Sequence, residues 1–415
     1  MSYAITRHDL AGGFLAALIG LPQAIILGIV VFSPINTPAA VELGIQAGLL
    51  AVVIGGIVAA IFGGAPLLIT GPRASAAFIL ASLVKELSEQ IPATGTGIPA
   101  DLLAWLFLAV ALAGILQLTL AALRADQLIR RIPEPVSANF ALIIGIIIVL
   151  DQIRPLLTGA FGRRPSLPEF PSLIPFIEPG LATIGLATLA LTLALMYHPK
   201  LGPRAIGKGK HFTYRGLAPL IGLLAGTLAF HTYQPYFAPD NHSVLSDTIH
   251  LAGLAGSFNQ AFNLFPSWNE EIALTVTVHA LLLAVMGALD SLVAAAVLEA
   301  ERDVPFNPRR ELAAQGLANL SSALVGGIAV VGSLQRGKAS ADLGARHASA
   351  GIASALFILF MVTAAWPAVG QIPLAILAAM LATTGIQMVA DNIGRLGIDM
   401  AHVRSGEHRP DAITS

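Results

Sequence analysis

Arg336, Lys338 and Ser333 lie together in GGIAVVGSLQRGKASADLG, Gly326 to Gly344, between two long apolar runs. Each cation at the centre of a bilayer costs at least about 2.5 kcal/mol even on lenient scales, so a continuous lipid-facing helix would not be written this way. A helix broken within the membrane and lining a polar cavity tolerates such residues. The start of such a helix turns unpaired backbone N–H groups, and roughly half an elementary charge, toward the cavity. The chemistry this predicts is the holding of a small anion. Arg336 brings a planar fork able to give an oxyanion two hydrogen bonds.

A second stretch repeats the design. In GGAPLLITGPRAS eight residues separate Gly64 from Arg73, as eight separate Gly327 from Arg336. Each stretch has a partner upstream: Gln23 three residues after Gly20 in GLPQ, and Asp290 three after Gly287 in GALD. Gln23 precedes Arg73 by 50 residues and Asp290 precedes Arg336 by 46. The chain therefore reads as two related halves whose interrupted helices meet near the membrane midplane. The helix starts are predicted around Gly71-Pro72 and Ser333-Leu334, with Pro72 suited to a first helical turn, where no backbone N–H is needed. Arg73 would add a second cation or turn to a water-filled vestibule. Gln23 would hydrogen-bond the anion through its amide or pack between helices. Arg336 has its own second reading, a fixed pair with Asp290. Lys338, two residues beyond, faces elsewhere and can snorkel.

The elements that must position these residues follow from composition. With 55% hydrophobic and 11% charged residues and a mean hydropathy of +0.77, the chain is an integral membrane protein. Its 26 prolines and 40 glycines suit kinked and broken helices, and without cysteine it has neither disulfides nor thiolate metal sites. The run Gly12 to Val31 is followed by no small-residue cleavage pattern and reads as a mature spanning helix. On a template of about 20 residues per span, twelve segments are predicted near 12–32, 43–62, 66–84 (broken), 102–123, 136–153, 180–197, 216–235, 272–298, 311–330, 331–345 (broken), 348–367 and 372–390. The domain reading is a first repeat over 1–235, an extracellular or periplasmic linker over 236–271, a second repeat over 272–390 and a polar cytoplasmic tail over 391–415. Setting aside Arg73, Arg336 and Lys338, an amino terminus in the cytoplasm puts 16 of the remaining 20 basic residues inside, as the positive-inside rule asks.

Other polar residues read as structural. Asn139 and Asn319 suit hydrogen bonds between helices, His279 packs, and Glu299, Glu301, Arg302, Arg309 and Arg310 flank a short cytoplasmic loop, solvated or paired. No nucleotide-binding G-x-x-x-x-G-K-[ST] motif occurs. No cofactor is expected, and gradients would drive any transport.

Over nearly its whole length the sequence resembles the sulfate permease (SulP) family of anion transporters. The resemblance is carried by GLPQAIILG, ITGPRAS, EPVSANFALIIGIIIVLDQI, GALDSLVAAAVLE, ELAAQGLANLSSALVGG, GSLQRGKASADLGARHASAG and IPLAILAAMLATTGIQMV. It implies an all-α polytopic fold of two inverted seven-helix repeats, with a core domain sliding against a gate domain in an elevator-like motion, and a homodimer in the cell membrane. It also implies substrate held between the starts of the broken third and tenth helices. Arg336 matches the family's arginine there, whereas Arg73 replaces a residue that is uncharged in many members. Asp290 matches an acidic residue linked to cation coupling, and the expected ion is H⁺; Na⁺ is the weaker reading, since the hydroxyl residue that the bicarbonate-carrying branch places one turn later is Ala294 here. Family members continue to fourteen spans and a STAS domain, so the second repeat is expected to be incomplete in this chain. Sulfate is the first substrate expectation, with bicarbonate and C4-dicarboxylates behind it. A nucleobase permease of related fold and a non-transporting membrane subunit remain as alternatives.

Overall fold

Among the described residues helix follows helix where the apolar runs are long, and the chain breaks where the glycine-flanked cationic stretches predict it. The computed structural model describes residues 5–35, 37–91, 98–124, 152–158, 179–197, 218–236, 266–364 and 371–405, with a few isolated residues between 142 and 212. The elements are α1 (Arg7–Phe32), α2 (Pro38–Leu50), α3 (Gly56–Phe62), β1 (Ile69–Gly71), α4 (Ala74–Gln90), α5 (Ala100–Ala122), α6 (Ile153–Thr158) and α7 (Pro179–Tyr197). The two-residue strands β2 (Arg204–Ala205) and β3 (His211–Phe212), α8 (Ala218–Tyr233), α9 (Glu270–Arg302), α10 (Pro308–Leu324), β4 (Val331–Ser333), α11 (Leu334–Asp342), α12 (Ser349–Thr363) and α13 (Leu374–Ser405) complete them. Most of the span expected near 136–153, Asn139 included, and most of the 236–271 linker lie outside the described residues. Within them, five helices are long and apolar enough to cross a membrane.

The two halves share one order. A helix (α1 or α9) is followed by a second (α2 with α3, or α10), a short strand (β1 or β4), a half-helix (α4 or α11) and a closing helix (α5 or α12). α2 and α3 are joined through a π-helical turn at Ala51–Gly55, where the run-in to β4 crosses: Ile328 donates its N–H to Ala47 O at 3.2 Å. Such local widening of a helix is common at functional sites.

α1 to α5 and α9 to α12 pack into one body, and α6, α7, α8 and α13 into another that meets it along α1. Inside the first body the helices approach at small residues, as membrane bundles do. A Cβ on Gly114 of α5 would stand 2.7 Å from Gly316 O of α10. Polar residues of α10 hold the breaks: Asn319 donates to Gln117 Oε1 of α5 at 2.9 Å and clamps the N–H and C=O of Val330, just before β4. That is the interhelical role expected of Asn319. At the other end of the chain, α13 continues to Ser405, through backbone that the sequence suggested as tail.

Candidate functional site

The two breaks meet. β1 and β4 form an antiparallel ladder with Ile69 opposite Ser333, Thr70 opposite Gly332 and Gly71 opposite Val331. A proline cannot donate to a ladder, and Pro72 follows Gly71 where this one stops. α4 starts at Ala74 after Arg73, whose extended backbone forms the N-cap with no capping side chain. α11 starts at Leu334 after Ser333, whose Oγ accepts from Arg336 N at 3.4 Å. Pro72 therefore stands between strand and cap, not in the first helical turn. The matched ladder also sets the cations at different levels: Arg73 precedes its helix, whereas Arg336 is the third residue of its own.

Arg336 is fully buried, and its Nε and Nη2 have no hydrogen-bond partner. Room for its guanidinium comes from two glycines. A Cβ on Gly71 would stand 2.6 Å from Nη1, and one on Gly20 of α1 3.1 Å from the same atom. Arg73 is half-buried and donates from Nη1 to Ser333 Oγ at 3.4 Å, near enough to Arg336 for the two cations to repel. Neither arginine forms an ion pair among the described residues. The arrangement is two helix starts and two cations around one point, neither cation being paired to a carboxylate among the described residues.

Residues 6–401 match the Sulfate permease family. The chain belongs to that family. A "Bicarbonate transporter BicA" from Picosynechococcus sp. is 28% identical over 387 residues, 92% of this chain, and one from Synechocystis sp. is 27% identical over 389. The chain spans 62% and 61% of those relatives' lengths. Among solved structures, the transmembrane domain of a cyanobacterium BicA superposes with a TM-score of 0.74 at 24% identity, covering 97% of this chain and 91% of that one. The overall structure of SLC26A9 gives 0.69 at 13%, covering 92% and 57%. The fold is that of this family's membrane domains.

Of the residues singled out by sequence, Gly71, Arg73, Ser333 and Arg336 converge at the ladder. Leu334 offers its backbone only, since its side chain packs on the apolar cluster of Leu67, Leu68 and Leu298. Gln23 reaches the site through a neighbour: its Nε2 donates to Gln335 Oε1 at 3.2 Å, and Gln335 donates to Gln387 Oε1 of α13 at 3.4 Å. A cavity of about 30 Å³ lined by Gln23, Gln335, Pro22, Leu223 and Thr384 opens beside them, between the two helical bodies. Asp290 is half-buried and accepts from Ser75 Oγ at 2.6 Å, in the first turn of α4. The fixed Asp290–Arg336 pair is not formed. Lys338 turns away and pairs with Glu301 at 2.5 Å, beside an Arg302–Asp342 pair.

The sequence does not single out Ser75 or Gln335, although Gln335 adjoins Arg336 and Ser75 lies two residues after Arg73. Glu311 and Gln315, both buried in α10, had a legible signal: two polar side chains four apart share a helix face.

Proposed function

We propose that the chain is a secondary transporter of small oxyanions, and that the anion sits between the starts of α4 and α11 against Arg336. The observation that carries this reading is the buried guanidinium of Arg336, whose Nε and Nη2 have no hydrogen-bond partner. Removing a charge from water costs several kcal/mol unless a counter-charge and hydrogen bonds return it. Nε and Nη2 lack both in the described structure, and an oxyanion brings both in the geometry the fork requires. First-turn N–H groups of the half-helices add donors, Arg73 adds charge, and Gln23 holds Gln335 in place or turns its amide to the guest.

Two guanidinium groups favour a divalent guest, so sulfate leads. Bicarbonate follows, supported by the names of the curated relatives, with C4-dicarboxylates next. A neutral nucleobase would leave both cations uncompensated. Coupling to protons is assigned to Asp290, which touches α4 through Ser75 and is not locked to either arginine. The body containing the ladder would move against α6, α7, α8 and α13, as in the family's elevator scheme. The cell membrane, a cytoplasmic amino terminus and a homodimer complete the reading.

Uptake of labelled sulfate and labelled bicarbonate into proteoliposomes tests it. Saturable uptake of either, lost in Arg336→Gln, supports the proposal. If the purified protein carries neither of these nor succinate, the membrane-subunit reading replaces it; uptake of uracil alone would favour the nucleobase alternative.

A further inference from the structure

The break before β1 is held from outside the site by one buried carboxylate. Glu311 of α10 is 2% exposed. Its Oε2 accepts from the backbone N–H groups of Gly64 and Ala65 at 2.8 and 2.9 Å, and its Oε1 accepts from Gln315 Nε2 at 2.7 Å. The same Nε2 donates to Thr70 Oγ1 at 2.8 Å. Thr70 is the middle residue of β1, next to the Gly71 that touches Arg336. One hydrogen-bonded chain thus runs from the end of α3, through Glu311 and Gln315, to the wall of the proposed anion site.

Two neighbours fix the same turn. Asn307 donates its N–H to Gly64 O and Arg310 its Nε to Phe62 O, both at 3.0 Å. Backbone contact is so close that a Cβ on Gly64 would stand 2.7 Å from Glu311 N. These contacts secure the chain up to Gly64. Glu311 and Gln315 carry side-chain hydrogen bonds onward, to Ala65 N and to Thr70 of β1. A buried carboxylate without an ion pair is costly. A carboxylate that receives three N–H donors and orients the strand has a use for its burial.

We infer that Glu311 is a positioning residue for anion binding, acting through Gln315 and Thr70 to fix the level of β1 and so the place of Gly71 and Arg73 against Arg336. The inference rests on the anion-site reading above. It makes affinity, and not turnover, the quantity Glu311 controls, because a displaced cradle weakens contact with the bound anion.

The test is concentration-dependent uptake into proteoliposomes, with labelled sulfate and labelled bicarbonate as the probes, for Glu311→Gln, Thr70→Val and Thr70→Ser beside the unaltered protein and Arg336→Gln. Glu311→Gln puts an amide against the Gln315 amide, and Thr70→Val removes the acceptor at nearly constant volume. Each should raise KM about fivefold or more with maximal rate within about twofold, and Thr70→Ser, which keeps the hydroxyl, should restore most of the affinity. Should Glu311→Gln not fold, Thr70→Val decides alone. An unchanged KM in folded Thr70→Val, or a fall in maximal rate without change in KM, overturns the inference while Arg336-dependent uptake in the unaltered protein keeps the site reading intact. No Arg336-dependent uptake removes both.

Discussion

Arg336 and Gly71 are packed so that no side chain fits between them: a methyl on Gly71 would stand 2.6 Å from Nη1 and 2.8 Å from Nη2. The absence of a side chain at 71 is therefore part of the site, and Gly71→Ala must push the guanidinium off the ladder. Overpacking of this kind costs about 1–3 kcal/mol. If the displacement falls on the anion-bound state, KM should rise roughly tenfold, since about 1.4 kcal/mol is a factor of ten. Gly20→Ala meets the same atom at 3.1 Å and should raise KM less. Equal effects at 71 and 20, or none, would mean that Arg336 does not sit where substrate binds.

Burial of Arg336 predicts a separation of stability from activity. Replacing even a buried ion pair by apolar side chains of similar volume is often neutral or stabilising, by about 1–4 kcal/mol, and a charge without a counter-charge has more desolvation cost to recover. Arg336→Met should unfold at an equal or higher temperature than the unaltered protein in detergent, while saturable anion uptake disappears. Arg336→Lys keeps charge but loses the fork, and should bind the probe anions more weakly without losing them. A strongly destabilised Arg336→Met would point to a partner for the guanidinium and against a vacant place for substrate.

Much of this was legible in the sequence, and the reason is energetic. Arginine and aspartate inside apolar runs are expensive, so they mark the site wherever they occur, and breaks at glycine and proline mark where helices restart. The level of each cation was not legible. Counting eight residues from Gly64 to Arg73 and from Gly327 to Arg336 equates the two, but Arg73 caps α4 as Ser333 caps α11, so Arg336 stands three residues further into its half-helix. Residue spacing cannot report this offset, because two residues stand between β1 and α4 and none between β4 and α11. Gln335 and Ser75 escape notice for a different reason: uncharged polar residues at small-residue breaks are common, and only the fold shows what they face.

Lys338 supplies a contrast within the same half-helix. Its partner Glu301 is 42% exposed and Lys338 itself 37%, a setting in which ion pairs contribute about 0–1 kcal/mol. Lys338→Ala should leave the KM for sulfate or bicarbonate within about twofold and the unfolding temperature nearly unchanged. A loss of uptake comparable to that of Arg336→Gln would show that the positive charge of α11 acts as a whole, and not through the one buried fork.

Asp290 and Ser75 carry the prediction about coupling. Ser75 Oγ donates to Asp290 Oδ2 at 2.6 Å from the first turn of α4, so the carboxylate lies at the positive end of a half-helix that faces the proposed anion site. On that proposal a negative aspartate and a negative guest would compete for the same field, and a proton taken up by the aspartate would end the competition. Anion and proton should therefore be taken up together. Lowering the external pH should speed initial uptake into vesicles of fixed internal pH and drive accumulation above equilibrium. Asp290→Asn can still accept from Ser75 but cannot titrate, so it should equilibrate the anion without accumulating it, whatever the gradient. Accumulation in Asp290→Asn that matches the unaltered protein, or unaltered protein indifferent to an imposed pH difference, would remove Asp290 from the coupling step and leave the anion site standing on Arg336 alone.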